Sequence, residues 1–115
     1  MRQMCEEMSK LRKMLDEAGI EWKDVSIVTP DELIEKSIAV GIDAYHADTT
    51  IYRTHFEHKD YHFSVIYGYG TYGGYDAFNG SDPGLLECMT EKVNGGEPQG
   101  WLTAEQVMNI VNMEV

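Results

Sequence analysis

Gly68-Tyr69-Gly70-Thr71-Tyr72-Gly73 spells G-x-G-x-x-G directly behind a run of β-forming residues. At that spacing a backbone can approach a pyrophosphate, provided that a helix starts at the glycines and aims its N-terminal dipole at the phosphates. The continuation Gly74-Tyr75-Asp76-Ala77-Phe78-Asn79-Gly80 does not make that helix, and no βαβ unit follows. The glycines therefore read as a loop that needs positive φ or close backbone approach. Residues 68–84 form a long connection in which Tyr69, Tyr72, Tyr75 and Phe78 alternate with Gly, Thr, Asn and Ser. Connections of that length usually have a task, and rigid rings among small residues are the composition of adaptable binding loops. Two readings follow. Either the rings pack back on the fold, or Tyr69, Tyr72, Tyr75, Asp76, Phe78, Asp82 and Glu87 present a partner-binding surface.

His55, His58 and His62 lie within eight residues of one another. On a hairpin turning at Lys59-Asp60, His62 stands opposite Glu57 and diagonal to His55, while His58 points the other way. Two histidines and a carboxylate on one face could hold a divalent ion, though strand histidines facing solvent have the same pattern. His46 near Asp43 and Asp48 is a similar cluster. No residue is assigned as a metal ligand and no cofactor is expected. A small-ligand alternative uses Tyr52, Arg53, Tyr67, Gly68 and Gly70 as a pocket for a nucleotide signal. Nucleophilic catalysis has little to stand on. Cys5 and Cys88 occupy apolar positions, and none of Ser9, Ser26, Ser37, Ser64 and Ser81 lies in a G-x-S-x-G turn. No catalytic residue is assigned, and a non-enzymatic role is expected.

These side chains need elements to position them. Met4, Met8, Leu11, Leu15 and Ala18 recur at steps of four and three, which predicts a first helix over residues 2–18 ended by Gly19, with Ile20 folding back on it. The same stripe could pair two chains as a homodimer, although it is short for a coiled coil. Residues 20–28 read as a short strand or an extended connection. Thr29-Pro30-Asp31-Glu32 has the form of a capping box with proline at the first helical position, which predicts a middle helix to Val40 ended by Gly41. Thr50–Phe56 and Tyr61–Gly68 alternate as strands. With Lys59-Asp60 as a two-residue turn, Phe56 faces Phe63, Thr54 faces Val65 and Tyr52 faces Tyr67. Leu85–Thr90 reads as a third strand, with a helix as the competing reading. Thr103-Ala104-Glu105-Gln106 is a second capping box that opens a last helix over 104–113. The expectation is a single α+β domain over 1–115, a small antiparallel meander of about three strands covered by three helices.

The 115 residues carry 20 Asp and Glu against 9 Lys and Arg, a formal charge of −11. Between residues 61 and 115 seven acids stand against one base, Lys92, whereas residues 1–60 mix thirteen acids with eight bases. Such a chain repels phosphate, so direct nucleic-acid binding is disfavoured. The field suits solubility or a basic groove on another protein. With 43% hydrophobic residues the chain can build a core. Neither an apolar signal segment nor a membrane-length run is read, and the two cysteines form no CxxC pair. A cytoplasmic setting with reduced thiols is expected.

The segments LRKMLDEAGIEWKD, YRTHF, YHFSVIYGYGTYGGYDAF and GLLECMTEKVNGGEPQGWLTAEQV, with the closing helix, resemble small proteins encoded by phages and prophages of anaerobic gut bacteria. The likeness spans most of the chain except about residues 25–48, which look like a variable insert. It implies a phage context, with action in the host cytoplasm, and carries over no catalytic residue. The expectation is an acidic accessory protein that binds a host protein stoichiometrically, as an inhibitor of a defence nuclease of anti-CRISPR or anti-restriction type would. A nucleotide-signal binder and a divalent metal-binding protein are the alternatives.

Overall fold

The computed structural model describes residues 3–76 and 78–114. The first apolar stripe forms helix α1 over Glu6–Glu17, shorter than the expected 2–18: Cys5 is extended at the N-cap and residues 3–5 precede the helix, while Arg2 lies outside the described residues. Its C-terminus closes as a Schellman motif. Gly19 at φ 71° donates to the Asp16 carbonyl, and Ile20 donates to the Leu15 carbonyl at 2.9 Å and is itself buried. The middle helix α2, Asp31–Ala39, ends the same way: Gly41 at φ 97° donates to the Ile38 carbonyl and Ile42 to that of Ser37.

Five antiparallel strands run in sequential order: β1 Trp22–Asp24, β2 Ile51–His58, β3 Tyr61–Gly68, β4 Leu86–Thr90 and β5 Gln99–Leu102. The meander thus has a short strand at each edge beyond the expected three: β1, where 20–28 read as a short strand or an extended connection, and β5, which the sequence does not signal. Lys59 and Asp60 both take positive φ, which matches the right-handed twist of a two-residue hairpin. The register pairs Phe56 with Phe63, Thr54 with Val65 and Tyr52 with Tyr67, and the two phenylalanine rings stack at 4.8 Å.

One sheet face is covered by α1 and the last helix, α4, Ala104–Asn112. Met8, Leu11 and Leu15 of α1 meet Phe56, Phe63, Val65 and Leu86 of the sheet and Val107 and Val111 of α4 in one core. Each fully buried aliphatic side chain contributes about 1.5–3 kcal/mol. The central residues of the α1 stripe, Met8, Leu11 and Leu15, are thus buried within the chain's own core. Arg12 fastens α1 to the sheet, donating from Nε to Thr54 Oγ1 at 2.9 Å, lying over the Trp22 ring and pairing with Asp24 at 3.3 Å.

The α4 capping box forms as read. Thr103 Oγ1 accepts from Gln106 N, and Gln106 Oε1 accepts from Thr103 N. The Thr29 box does not form, and Pro30 takes the N-cap position without a side-chain bond. Thr29 instead bonds Thr49 and Thr50, twenty residues away, where the β1–β2 pairing continues through an Ile27–Ile51 bridge. Residues 30–48 therefore leave the sheet as an arm closed at its neck. The arm carries α2 and a single turn, α3, Ala44–Ala47. Asp43 caps that turn, accepting from His46 N at 3.0 Å and bonding His46 Nδ1 at 2.6 Å, so the His46 cluster is a helix cap. Asp48 is buried and accepts from Thr50 N and Oγ1.

Candidate functional site

The glycine loop folds against the end of the sheet through its own backbone. Tyr75 N donates to the Gly68 carbonyl at 3.0 Å and Gly70 N to the Tyr75 carbonyl at 2.9 Å, while Thr71 Oγ1 bridges both polar groups of Gly68. The carbonyls of Tyr72 and Gly73 accept from Trp101 N and Leu85 N, which locks the loop onto the strand ends. A Cβ on Gly74 would overlap Thr71 Oγ1 and the Gly68 carbonyl, and one on Gly68 would overlap the Thr50 carbonyl. These glycines serve close backbone packing, and the helix that a phosphate site requires does not follow them.

The loop does not display its rings as a set. Tyr75 is only 3% exposed, stacked at 4.9 Å on Tyr45 and at 6.0 Å on Tyr69, which is itself half-buried. Glu87 is 8% exposed and accepts from Tyr72 N at 2.8 Å. Neither Tyr75 nor Glu87 can contribute to a free surface, because the loop turns the first beneath Tyr45 and covers the second. Tyr72 is exposed and stacks on exposed Trp101 at 5.5 Å. Trp101 holds φ at 55°, a strained conformation for a bulky residue. Asp76 is half-buried and accepts from Phe78 N, while Asp82 accepts from the Tyr67 hydroxyl at 2.7 Å. Phe78 is fully exposed.

The small-ligand set is not brought together. Tyr52 and Tyr67 pair on the helix-covered face, whereas Arg53 lies on the opposite one, and Gly68 and Gly70 belong to the packed loop. The uncovered face carries three cross-strand rows: Arg53, Ile66 and Glu87; His55, Ser64 and Met89; and Glu57, His62 and Glu91. Ser64 Oγ and Arg53 Nη2 both contact His55 Nε2, at 3.0 and 3.3 Å. The geometry resembles a nucleophile and base, but the guanidinium competes for the nitrogen that would take the proton. Burial, reinforced by the Arg53 charge, lowers the His55 pKa and holds the ring neutral. His62 sits between Glu57 at 2.9 Å and Glu91 at 3.2 Å, and the Glu91 hydrogen bond, aided by Glu57, raises its pKa. His55 and His62 thus satisfy different neighbours, and among the described residues no group of three His, Cys, Asp or Glu is placed to hold a metal ion. An open groove of about 1430 Å3 near this end is lined by His55 and His62 from one face and Phe56 and Phe63 from the other. It wraps the rim of the sheet and is no enclosed site.

The surface that sequence reasoning missed is the arm. Thirteen large apolar side chains are exposed among the described residues; five of them lie in the arm, and Val25, Ile27 and Val28 come just before its neck. Val40 is 79% and Tyr45 58% exposed, with Leu33, Ile38 and Ile42 also open to solvent. Scattered exposed apolar groups are ordinary, but this concentration in one segment marks an interaction surface. The Asp76–Asp82 turn abuts the arm, since Gly80 and Asp82 share a cleft with Ile38 and Tyr45. Fully exposed Phe78 projects from that turn. The signal was present in DELIEKSIAVGI, where adjacent Leu33-Ile34 and Ala39-Val40 give an apolar arc too wide for a helix with one buried side. Only Ile34 of α2 is buried.

Both cysteines are reduced, Cys88 buried and Cys5 partly so. Burial, with the Glu87 charge adding to it, pushes the Cys88 thiol up to about 12 and removes it as a nucleophile. No helix among the described residues is long and apolar enough to cross a membrane. Comparison with known proteins finds no matching family model, no similar curated protein and no similar solved structure.

Proposed function

We propose that this protein acts by stoichiometric binding to another protein, which it occupies without transforming. The binding surface is the region formed by α2, α3 and residues 78–82. The observation that carries this reading is the concentration of exposed Leu33, Ile38, Val40, Ile42 and Tyr45 in the arm. Holding such side chains in water is unfavourable, by about 25 cal/mol for each Å2 that a partner could cover. Asp31, Glu32, Glu35 and Asp43 are exposed in the same segment, where Lys36 pairs with Glu32, and Asp76 and Asp82 flank Phe78 in sequence, so the segment is net acidic. That composition fits a partner with apolar contacts and basic groups. The exposed Tyr72–Trp101 stack supplies a second aromatic anchor of the type enriched in interfaces.

The partner class that best complements a chain of charge −11 is a protein whose groove ordinarily holds nucleic acid. With the phage resemblance, the reading is a host-defence inhibitor that occupies a nuclease in the cytoplasm. The test is affinity capture from the lysate of an anaerobic gut bacterium, using wild type and Val40→Asp in parallel. The wild type is expected to retain a nuclease component whose binding falls as salt rises, and Val40→Asp to lose it. Retention of the same proteins by both, or of none that acts on nucleic acid, would overturn the reading.

A further inference from the structure

A cleft of about 510 Å3 separates α2 and α3 from the Gly80–Asp82 turn. This volume lies in the range of small-ligand sites. Its apolar wall is Ile34, Ile38 and Ala44, its aromatic wall is Tyr45 on Tyr75, and its polar groups include the carboxylates of Asp48 and Asp82. No basic side chain is among the described residues that line it. The two rings stack 14° from parallel, so the partly exposed Tyr45 ring forms a flat wall backed by Tyr75. The carboxylates are fixed: Asp82 by the Tyr67 hydroxyl and Gly84 N, Asp48 by Thr50.

We propose that this cleft receives a guanidinium group. The reasons are geometric. A guanidinium is planar, so it can stack on a tyrosine face while its fork donates to a carboxylate. It is also less strongly hydrated than an ammonium, which suits a cleft with aliphatic walls. The methylene arm of an arginine side chain would lie along Ile34 and Ile38, as long cationic side chains do on apolar surface. Two sources carry this group, an arginine of the bound partner and a free guanidino compound. The first rests on the interface reading given above, since the cleft opens within that surface.

The test is a titration of the full chain with agmatine, followed by amide NMR, with 1,4-diaminobutane, which replaces only the guanidinium by an ammonium, as the control. Saturable shifts of the Ala44, Tyr45 and Gly80 amides are expected with agmatine alone. Tyr45→Ala and Asp82→Asn should each weaken binding roughly tenfold, the asparagine retaining an acceptor for the Tyr67 hydroxyl. Agmatine that displaces a captured partner assigns the guanidinium to that partner's arginine, while simultaneous binding assigns it to a free compound. No saturable shift, or equal saturation by 1,4-diaminobutane, overturns the guanidinium site. That result leaves the interface itself to be judged by Val40→Asp.

Discussion

The carboxylate of Glu7 accepts a 2.8 Å hydrogen bond from the backbone N–H of Ala104, a separation of 97 residues. A side chain of the first helix therefore completes the N-terminus of the last, where Thr103 and Gln106 already satisfy each other. A negative group at a helix N-terminus is favourable both as an acceptor and against the helix dipole. Glu7→Ala should cost about 1 kcal/mol of unfolding free energy in urea, with Glu7→Gln losing less because it keeps an acceptor. An unchanged urea midpoint for Glu7→Ala would show that water replaces this cap at no cost.

Two glycines of one loop should lose stability on the same substitution for different reasons, overlap at Gly74 and backbone conformation at Gly70. Gly74→Ala places a methyl group against Thr71 Oγ1 and the Gly68 carbonyl, both held by hydrogen bonds. Overpacking of this kind costs about 1–3 kcal/mol and should show as a lowered Tm. Gly70 has open space around it but φ of 74°, so Gly70→Ala should cost only the conformational penalty, about 1–2 kcal/mol. Tolerance of both changes would argue that the loop is not packed as described.

The uncovered sheet face should titrate in opposite directions at its two histidines. His62 has its pKa raised above 6.5, first by its hydrogen bond to Glu91 and then by the Glu57 charge. Its contribution is complete below pH 6.5 and is lost as pH rises through the raised value. Glu91 is lowered by bonds from the His62 and Glu91 backbones, so its contribution is present above pH 4.5 and is lost as pH falls through the lowered value. His55 is lowered by burial and Arg53, so the fold is penalised as pH falls below 6.5. By NMR, the His62 ring should show a midpoint above 6.5 that drops in Glu91→Gln, and the His55 ring a midpoint below 6.5. The reverse order would contradict the cross-strand pairing.

Thiol labelling should separate the cysteines. Cys88 lies in the core with its thiol raised to about 12, and Cys5 is raised by partial burial. In native protein at neutral pH, Ellman's reagent should leave Cys88 untouched and label Cys5 slowly, with both reacting at once in denaturant. Rapid native labelling of two thiols would mean that the core opens readily.

What could be read in advance depended on how local the cause was. The β2–β3 register followed from alternation and one two-residue turn, and the α1 and α4 ends from motifs contained within five or six residues. Strand β1 lies within residues 20–28, which read as a short strand or an extended connection, whereas β5, four residues long, has too little alternation to show. Thr29 was misread because its partners, Thr49 and Thr50, are distant in sequence and outcompete a local cap. The tyrosines of the loop recur every third residue, a spacing that fixes no common face. Tyr75 turns inward because a parallel bridge to Tyr69 and the ring of Tyr45 hold it there. The segment set aside as an insert supplied most of the exposed apolar surface.

The threonine-bonded neck has a consequence for divergence. Because Thr29, Thr49 and Thr50 tie the two chains of the neck together, and Ile27 meets Ile51 just inside, the strands keep their register whatever lies beyond. Residues 30–48 can therefore vary in length and sequence while the β1–β2 register is kept, provided that a ring remains over Tyr75. Relatives built on this scaffold would keep the same sheet and differ in target, and a foreign excursion grafted between Thr29 and Thr49 should inherit a ready-made platform.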